Sequence, residues 1–297
     1  MTMPPYLKPG ATIGVCAPSG SFDPVRFEAG LSRVRDMGFE IYLPPGLNAQ
    51  KRYLAGDDAH RAGIVNDLFQ DPGIDAILCA RGGFGALRIL PYLDFDLLNN
   101  YPKFVVGFSD ITALLAEGVK QCPFSMIHGP VVTSLADASR ESIDSLLQAL
   151  SGPVPGMHLA NGKTLRPGRA SGILVGGNLA TLVSMAGTRF QPDFNDGILF
   201  LEDIREPAYK IDRMLTQMAF SGILAGVRGV VLGTFDHCGD ETMIHDIVTE
   251  RFNEPRVPIL SGLAAGHGGT NLSLPLGAAV TLDADTYELS FAPRGVA

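Results

Sequence analysis

The segment KFVVGFSDITALLAEGV holds the side chain with the most obvious chemical use. An apolar strand pattern runs into Gly107, Phe108, Ser109 and Asp110, and a helical pattern follows at once. A serine on a strand-to-helix turn faces the free N–H groups and positive dipole end of that helix, which suits attack on a carbonyl and stabilisation of the oxyanion that results. The turn departs from the G-x-S-x-G nucleophile elbow, because Ile111 stands where the second glycine would be. Serine is also a common N-cap, so nucleophile and cap are both open readings of Ser109.

A second turn, Ala80-Arg81-Gly82-Gly83-Phe84-Gly85, follows the apolar run IDAILCA. Three glycines in four residues let a backbone approach a ligand closely or adopt positive φ. The pattern is neither G-x-G-x-x-G nor a P-loop, so it does not argue for a dinucleotide or a nucleoside triphosphate. Both turns fall at the carboxyl ends of expected strands, where α/β sheets bind ligands. A tight turn with a solvated arginine is the alternative reading.

A serine nucleophile needs a base. Of the six histidines, His60 lies on a polar helix pattern and His158 in a Gly/Pro-rich stretch, so both read as solvated. His128 ends a short apolar run in IHGP, and His267 sits in the glycine-rich GLAAGHGGTNLSLPLG, a loop of the kind that carries function on rigid scaffolds. FDHCGDETMIH gathers Asp236, His237, Cys238, Asp240, Glu241 and His245, but the spacing matches neither H-E-x-x-H nor a paired-cysteine site, so no metal is expected. A third group must orient the base. Glu202, expected at the end of the strand GILFL, is placed to face a cleft, whereas Asp203, Glu206, Lys210, Asp212 and Arg213 read as caps and pairs along the following helix.

These residues need a scaffold, and the first half alternates strand patterns at 11–17, 39–42, 74–80 and 103–107 with helical patterns at 24–37 and 58–70. Asp23 and Asp57 or Asp58 are the expected N-caps. A helix at 110–121, a strand at SMIHG and a helix at 139–150 complete an α/β domain over residues 1–150 with a parallel sheet. Residues 151–168, with three prolines and four glycines, read as a linker. A second domain, 169–297, has strand patterns at 170–175, 197–201, 226–233, 277–282 and 286–291 and helical patterns at 178–186, 207–221 and 240–252.

The chain has 297 residues, 46% hydrophobic and 18% charged, which is ordinary globular composition with room for two domains. Twenty-three Lys and Arg against thirty-one Asp and Glu give a net charge of −8 with no basic block, which disfavours nucleic acid or an anionic membrane as partner. Cys16, Cys79, Cys122 and Cys238 stand far apart without C-x-x-C spacing, so neither a disulfide framework nor a structural zinc is expected, and a reducing cytoplasm fits. No apolar run reaches signal-peptide length at the N-terminus or ~18 residues elsewhere, so export and membrane insertion are not expected.

Taken together, GATIGVCAPSG, ARGGFGALRIL, VGFSDITALL, IHGP, GGNLATL, LFLEDIREPAYKIDRML and GHGGTNLSLPLG resemble, in order and across almost the whole chain, the serine LD-carboxypeptidases, the muramoyl-tetrapeptide carboxypeptidase family that also contains the microcin C immunity peptidases. The resemblance implies a flavodoxin-like or glutaminase-like N-terminal α/β domain, a smaller strand-rich α/β C-terminal domain, and a homodimer. It implies a Ser109–Glu202–His267 triad with no metal or cofactor, and cleavage of the L,D bond that releases terminal D-alanine from cytoplasmic murein tetrapeptides in cell-wall recycling. Within that mechanism the oxyanion would be held by the N–H of Asp110 and one from the glycine turn, with Gly83 as the candidate. Arg81 and Asn178 are the candidates for the substrate carboxylate. The immunity branch tends to stack an aromatic, often tryptophan, on a base; this chain has no Trp, and EDIREPAYKIDR looks more like the carboxypeptidase branch. Ala264-Ala265 replace the proline and aromatic common in the family ahead of Gly266-His267. Two other classes remain: a glutaminase-like enzyme, which would need a cysteine at position 109, and a non-catalytic module that uses the glycine turns for ligand capture.

Overall fold

The computed structural model describes residues 4–122, 126–254 and 256–293. The chain divides into two compact units, one of residues 1–152 with 271–275 and the other of residues 153–270 with 276–297.

In the first unit β1 (Thr12–Cys16), α1 (Pro24–Asp36), β2 (Glu40–Tyr42), α2 (Asp58–Gln70), β3 (Ala76–Cys79), α3 (Ala86–Ile89), α4 (Phe95–Asn100), β4 (Phe104–Gly107), α5 (Thr112–Gln121), β5 (Met126–His128), α6 (Val132–Leu135) and α7 (Arg140–Ser151) follow in turn. The five strands are parallel in the order β5-β4-β3-β1-β2, the flavodoxin-like arrangement, and Leu274–Pro275 adds antiparallel to β5. β3 and β4 are buried along their whole length, as central strands covered on both faces must be. Asp23 caps α1 by accepting from Arg26 N at 2.8 Å, with Pro24 at the first turn, and Asp57 caps α2 by accepting from His60 N at 2.9 Å. The expected helix at 110–121 opens as a 3-10 turn, Ser109–Ile111, before α5. Ser125 of the expected strand SMIHG lies outside the described residues.

The second unit holds β6 (Met157–His158), β7 (Lys163–Arg166), β8 (Arg169–Asn178), α8 (Leu179–Met185), β9 (Gly197–Ile204), α9 (Ala208–Phe220), β10 (Gly229–Asp236), α10 (Glu241–Arg251) and β11 (Ile259–Ser261). After Leu274–Pro275, which is β12 in chain order, come β13 (Ala279–Asp283) and β14 (Glu288–Phe291). The sheet runs β6-β14-β13-β8-β9-β10-β11-β7, with β8 to β11 parallel and the flanking strands antiparallel. The segment expected as a linker therefore contains β6 and β7, both short edge strands of this sheet. The core gathers on β9 and β10, where Leu199, Phe200, Leu201, Val230 and Val231 are fully buried. Among the described residues no helix is long and apolar enough to cross a membrane.

Candidate active site

In the first unit the loops that follow β1, β3 and β4 lie at the carboxyl edge of the sheet, two of them beside the point where the strand order reverses. Ser109 follows β4 directly. Its φ is +63°, a left-handed conformation that costs a non-glycine residue about 1 kcal/mol or more and that recurs at functional turns. Phe108 before it is extended and its carbonyl accepts from Ile111 N at 3.2 Å, so the chain turns within one residue. Ser109 is the first residue of this turn and not its N-cap, a position that Phe108 takes. The missing second glycine of the elbow has a structural counterpart. A Cβ on Gly107 would stand 2.6 Å from Ile111 Cγ2, so the isoleucine fills the space that Gly107 leaves open.

The glycine turn after β3 packs against Ser109. A Cβ on Gly82 would meet Ser109 Cβ at 2.9 Å and Oγ at 3.0 Å, so Gly82 is the glycine whose bareness the serine needs, a contact that sequence spacing alone did not distinguish from Gly83. Gly83 has φ +111°, and a Cβ built there would meet backbone atoms of Gly20 at 3.6 Å. Arg81 is exposed and donates from Nη1 to the Ser21 carbonyl at 2.5 Å. Asp110 is buried beside the serine, and its Oδ2 accepts from Ser19 Oγ at 2.5 Å and from Ala86 N at 2.8 Å. His128 is fully buried at the end of β5, with its ring edge-on to Phe108 at 6.0 Å between centroids.

In the second unit Glu202 and His267 meet. β9 continues to Ile204, so Glu202 lies inside this strand and not at its end; its register partner on β8 is Asn178. The carboxylate is fully buried, and its Oε2 accepts from His267 Nδ1 at 2.6 Å and from His267 N at 3.2 Å. The loop that carries His267 runs on from β11 along β10, with Leu263 N donating to Leu232 O at 3.1 Å and Thr234 N to Ala265 O at 3.0 Å. Gly266, with φ +110°, completes the approach, because a Cβ there would stand 2.5 Å from Glu202 Oε2. Burial pushes the imidazolium pKa down, but the Glu202 hydrogen bond and the charges of Glu202, Asp203 and Asp236 outweigh it and hold His267 above the ordinary histidine value. With Nδ1–H donated to the carboxylate, Nε2 is the basic nitrogen, which is the tautomer a general base requires.

Asp203, absent from the sequence-level candidates, is the second acid of this cluster. Burial lifts its pKa to about 6 against the opposing bonds from Ile204 N, Ala180 N and Asn178 Nδ2. Asn178 bonds within the unit: Oδ1 accepts from Thr181 N at 3.0 Å as the cap of α8, and Nδ2 donates to Asp203 Oδ1 at 3.1 Å. The FDHCGDETMIH cluster separates, with Cys238 buried, His237 exposed, and His245 near Glu241 at 3.5 Å on α10.

Residues 13–129 match the family described as LD-carboxypeptidase N-terminal domain, and residues 171–282 the LD-carboxypeptidase C-terminal domain. A putative carboxypeptidase of Synechocystis sp. is 37% identical over 293 residues, covering 96% of this chain and 95% of that one. The murein tetrapeptide carboxypeptidase of Pseudomonas aeruginosa is 33% identical over 289 residues, with 91% and 92% coverage. Among solved structures, an MccF-like protein from Bacillus anthracis aligns with a TM-score of 0.90 over 99% of this chain and 100% of its own, at 24% identity, a likeness of fold.

Proposed function

Because the chain belongs to the LD-carboxypeptidase family, and is therefore a peptidase, we propose that it is a serine carboxypeptidase that hydrolyses the L,D-peptide bond before the terminal D-alanine of murein tetrapeptides. The observation that carries the reading is the left-handed Ser109, held at the end of β4 against a glycine that leaves its hydroxyl uncovered.

Ser109 Oγ attacks the carbonyl carbon of the scissile bond while His267 Nε2 takes its proton. Glu202, hydrogen-bonded to Nδ1, stabilises the imidazolium that forms. The tetrahedral oxyanion is met by the N–H groups of Asp110 and Gly83, and removal of one such donor costs on the order of 100-fold in rate or more. Collapse expels the D-alanine amine, which receives the proton from His267. The acyl-serine is then hydrolysed by water under the same base. Arg81 is the candidate for the substrate's terminal carboxylate, since a guanidinium has donors beyond the one given to Ser21. Asn178 is the second, through its place beside Glu202 in the register of β8 and β9. We place the reaction in cytoplasmic cell-wall recycling, carried out by a homodimer without metal or cofactor.

The test is substrate choice. The purified protein should release D-alanine from a free tetrapeptide ending in an L,D bond, and leave the all-L analogue and a pentapeptide ending in D-Ala-D-Ala intact. Rapid cleavage of an aminoacyl sulfamoyl-adenylate with no D-alanine release would move the chain to the immunity branch.

A further inference from the structure

Two opposite charges, both buried in the first unit, tie together the same two loops. One loop follows β1 and contains Pro18, Ser19 and Gly20; the other is the glycine turn, Arg81 to Gly85, with Ala86 at its end. The Asp110 carboxylate takes one donor from each, Ser19 Oγ at 2.5 Å and Ala86 N at 2.8 Å. The Arg61 guanidinium, on α2 and 1% exposed, gives Nη1 to one carbonyl of each, Pro18 O and Gly85 O, the latter at 2.9 Å. Gly20 N adds a direct tie to Gly82 O at 3.2 Å. Arg61 is held from behind by Asp58 at 2.5 Å, which also binds Arg88 at 2.7 Å.

Burying ionised groups costs several kcal/mol each even after relaxation, and well-packed apolar residues would serve stability as well or better. Four directional bonds between two loops provide something apolar packing does not, a fixed offset of one loop against the other. The glycine turn is the piece so fixed: Gly82 touches Ser109, and the carboxylate that holds Ala86 belongs to the residue after the serine. A turn and a nucleophile locked by one residue cannot drift apart without breaking a buried charge-assisted bond.

We infer that Asp110 and Arg61 are positioning residues, whose side chains hold the glycine turn at the offset from Ser109 at which its N–H meets the oxyanion. The inference rests on the serine-peptidase reading. Neither side chain reaches substrate; each acts through backbone it holds, as a misplacement of about 1 Å costs roughly 100-fold in a preorganised site.

The experiment compares Ser19→Ala, Asp110→Asn and Asp110→Ala with the parent protein, each with its active sites counted by fluorophosphonate titration, so that a smaller folded fraction does not pass for a slower site. Asp110→Ala should lower kcat per titrated site about 100-fold and the phosphonylation rate in parallel, with KM for the tetrapeptide within about threefold of the parent. Asp110→Asn, which still offers an oxygen to Ser19 and Ala86, should recover at least about tenfold of that loss, and Ser19→Ala should cost about tenfold. The inference is overturned if Asp110→Ala keeps its kcat per titrated site while only its Tm falls. Should that variant not fold, parental kcat and labelling rate in Ser19→Ala overturn it equally. Failure of the underlying reading shows separately, as turnover retained in Ser109→Ala.

Discussion

Replacing Glu202 by glutamine removes one charge from a buried pair while keeping the shape of the side chain. In the parent, Oε2 accepts from both His267 Nδ1 and His267 N, so a glutamine oxygen in that place retains both bonds and the imidazole tautomer. What disappears is the attraction between carboxylate and imidazolium in the transition state. For charges ~4 Å apart at an effective dielectric of ~20 this is about 4 kcal/mol, so kcat/KM should fall by about 100- to 1,000-fold. The pH profile carries the sharper signature. Burial is the largest influence on His267 and pushes its pKa down; the Glu202 hydrogen bond and charge come next and push it up, ahead of the Asp203 and Asp236 charges, so loss of the Glu202 charge lowers it. The proposed mechanism needs the neutral imidazole, so the acid limb of kcat/KM, expected above the ordinary histidine pKa in the parent, should move to lower pH in Glu202→Gln even as the plateau drops. The assay is D-alanine release across pH 5 to 9. An acid limb that stays in place or moves up, or a plateau within about tenfold of the parent, would refute the coupling.

Gly82→Ala should keep the parental Tm within a few degrees but lose about 100-fold in kcat, because the new methyl meets Ser109 Cβ and Oγ at 2.9 and 3.0 Å; unchanged turnover would mean the serine is not used from this conformation. His267→Ala should lower kcat by about 1,000-fold or more with little change in KM, whereas His128→Ala, which empties a fully buried site, should mainly lower stability by about 2 kcal/mol; kinetics and urea melts separate the two, and the opposite pattern would reassign the base. Asp203 is raised from 3.8 to about 6 by burial, so its folded form is the better proton binder and the parent loses up to roughly 3 kcal/mol of stability as pH rises through that window. Asp203→Asn lacks this loss, so its stability relative to the parent should improve between pH 4 and 7, and a pH-independent difference in urea melts would contradict the assignment.

The expectations drawn from periodicity located the central strands and long helices, because buried strands read as continuous apolar runs and α1 and α2 announce themselves with aspartate caps. Short edges were not legible. β6 and β7 lie among the prolines and glycines of 151–168, and β12 is two residues long, so none has enough length to show a period of two. The strand β9 outruns its apolar run by three residues because its last members, Glu202, Asp203 and Ile204, include two buried acids, which hydropathy alone assigns to the surface. Asp203 reads as a helix cap in the sequence for the same reason. Ser19 and Asp110 are 91 residues apart, and nothing in either neighbourhood names the other as partner. Gly82 and Gly83 are adjacent and identical in type, and only the packing of Ser109 tells which one faces it.

In the proposed mechanism Ser109 forms a covalent acyl-enzyme with the base supplied by His267. Intact-protein and peptide mass spectrometry after treatment with a fluorophosphonate tests it most directly. One adduct per chain should map to the peptide containing Ser109, disappear in Ser109→Ala along with D-alanine release, and form far more slowly in His267→Ala. An adduct on another serine, or a Ser109→Ala variant that still releases D-alanine at the parental rate, would contradict it.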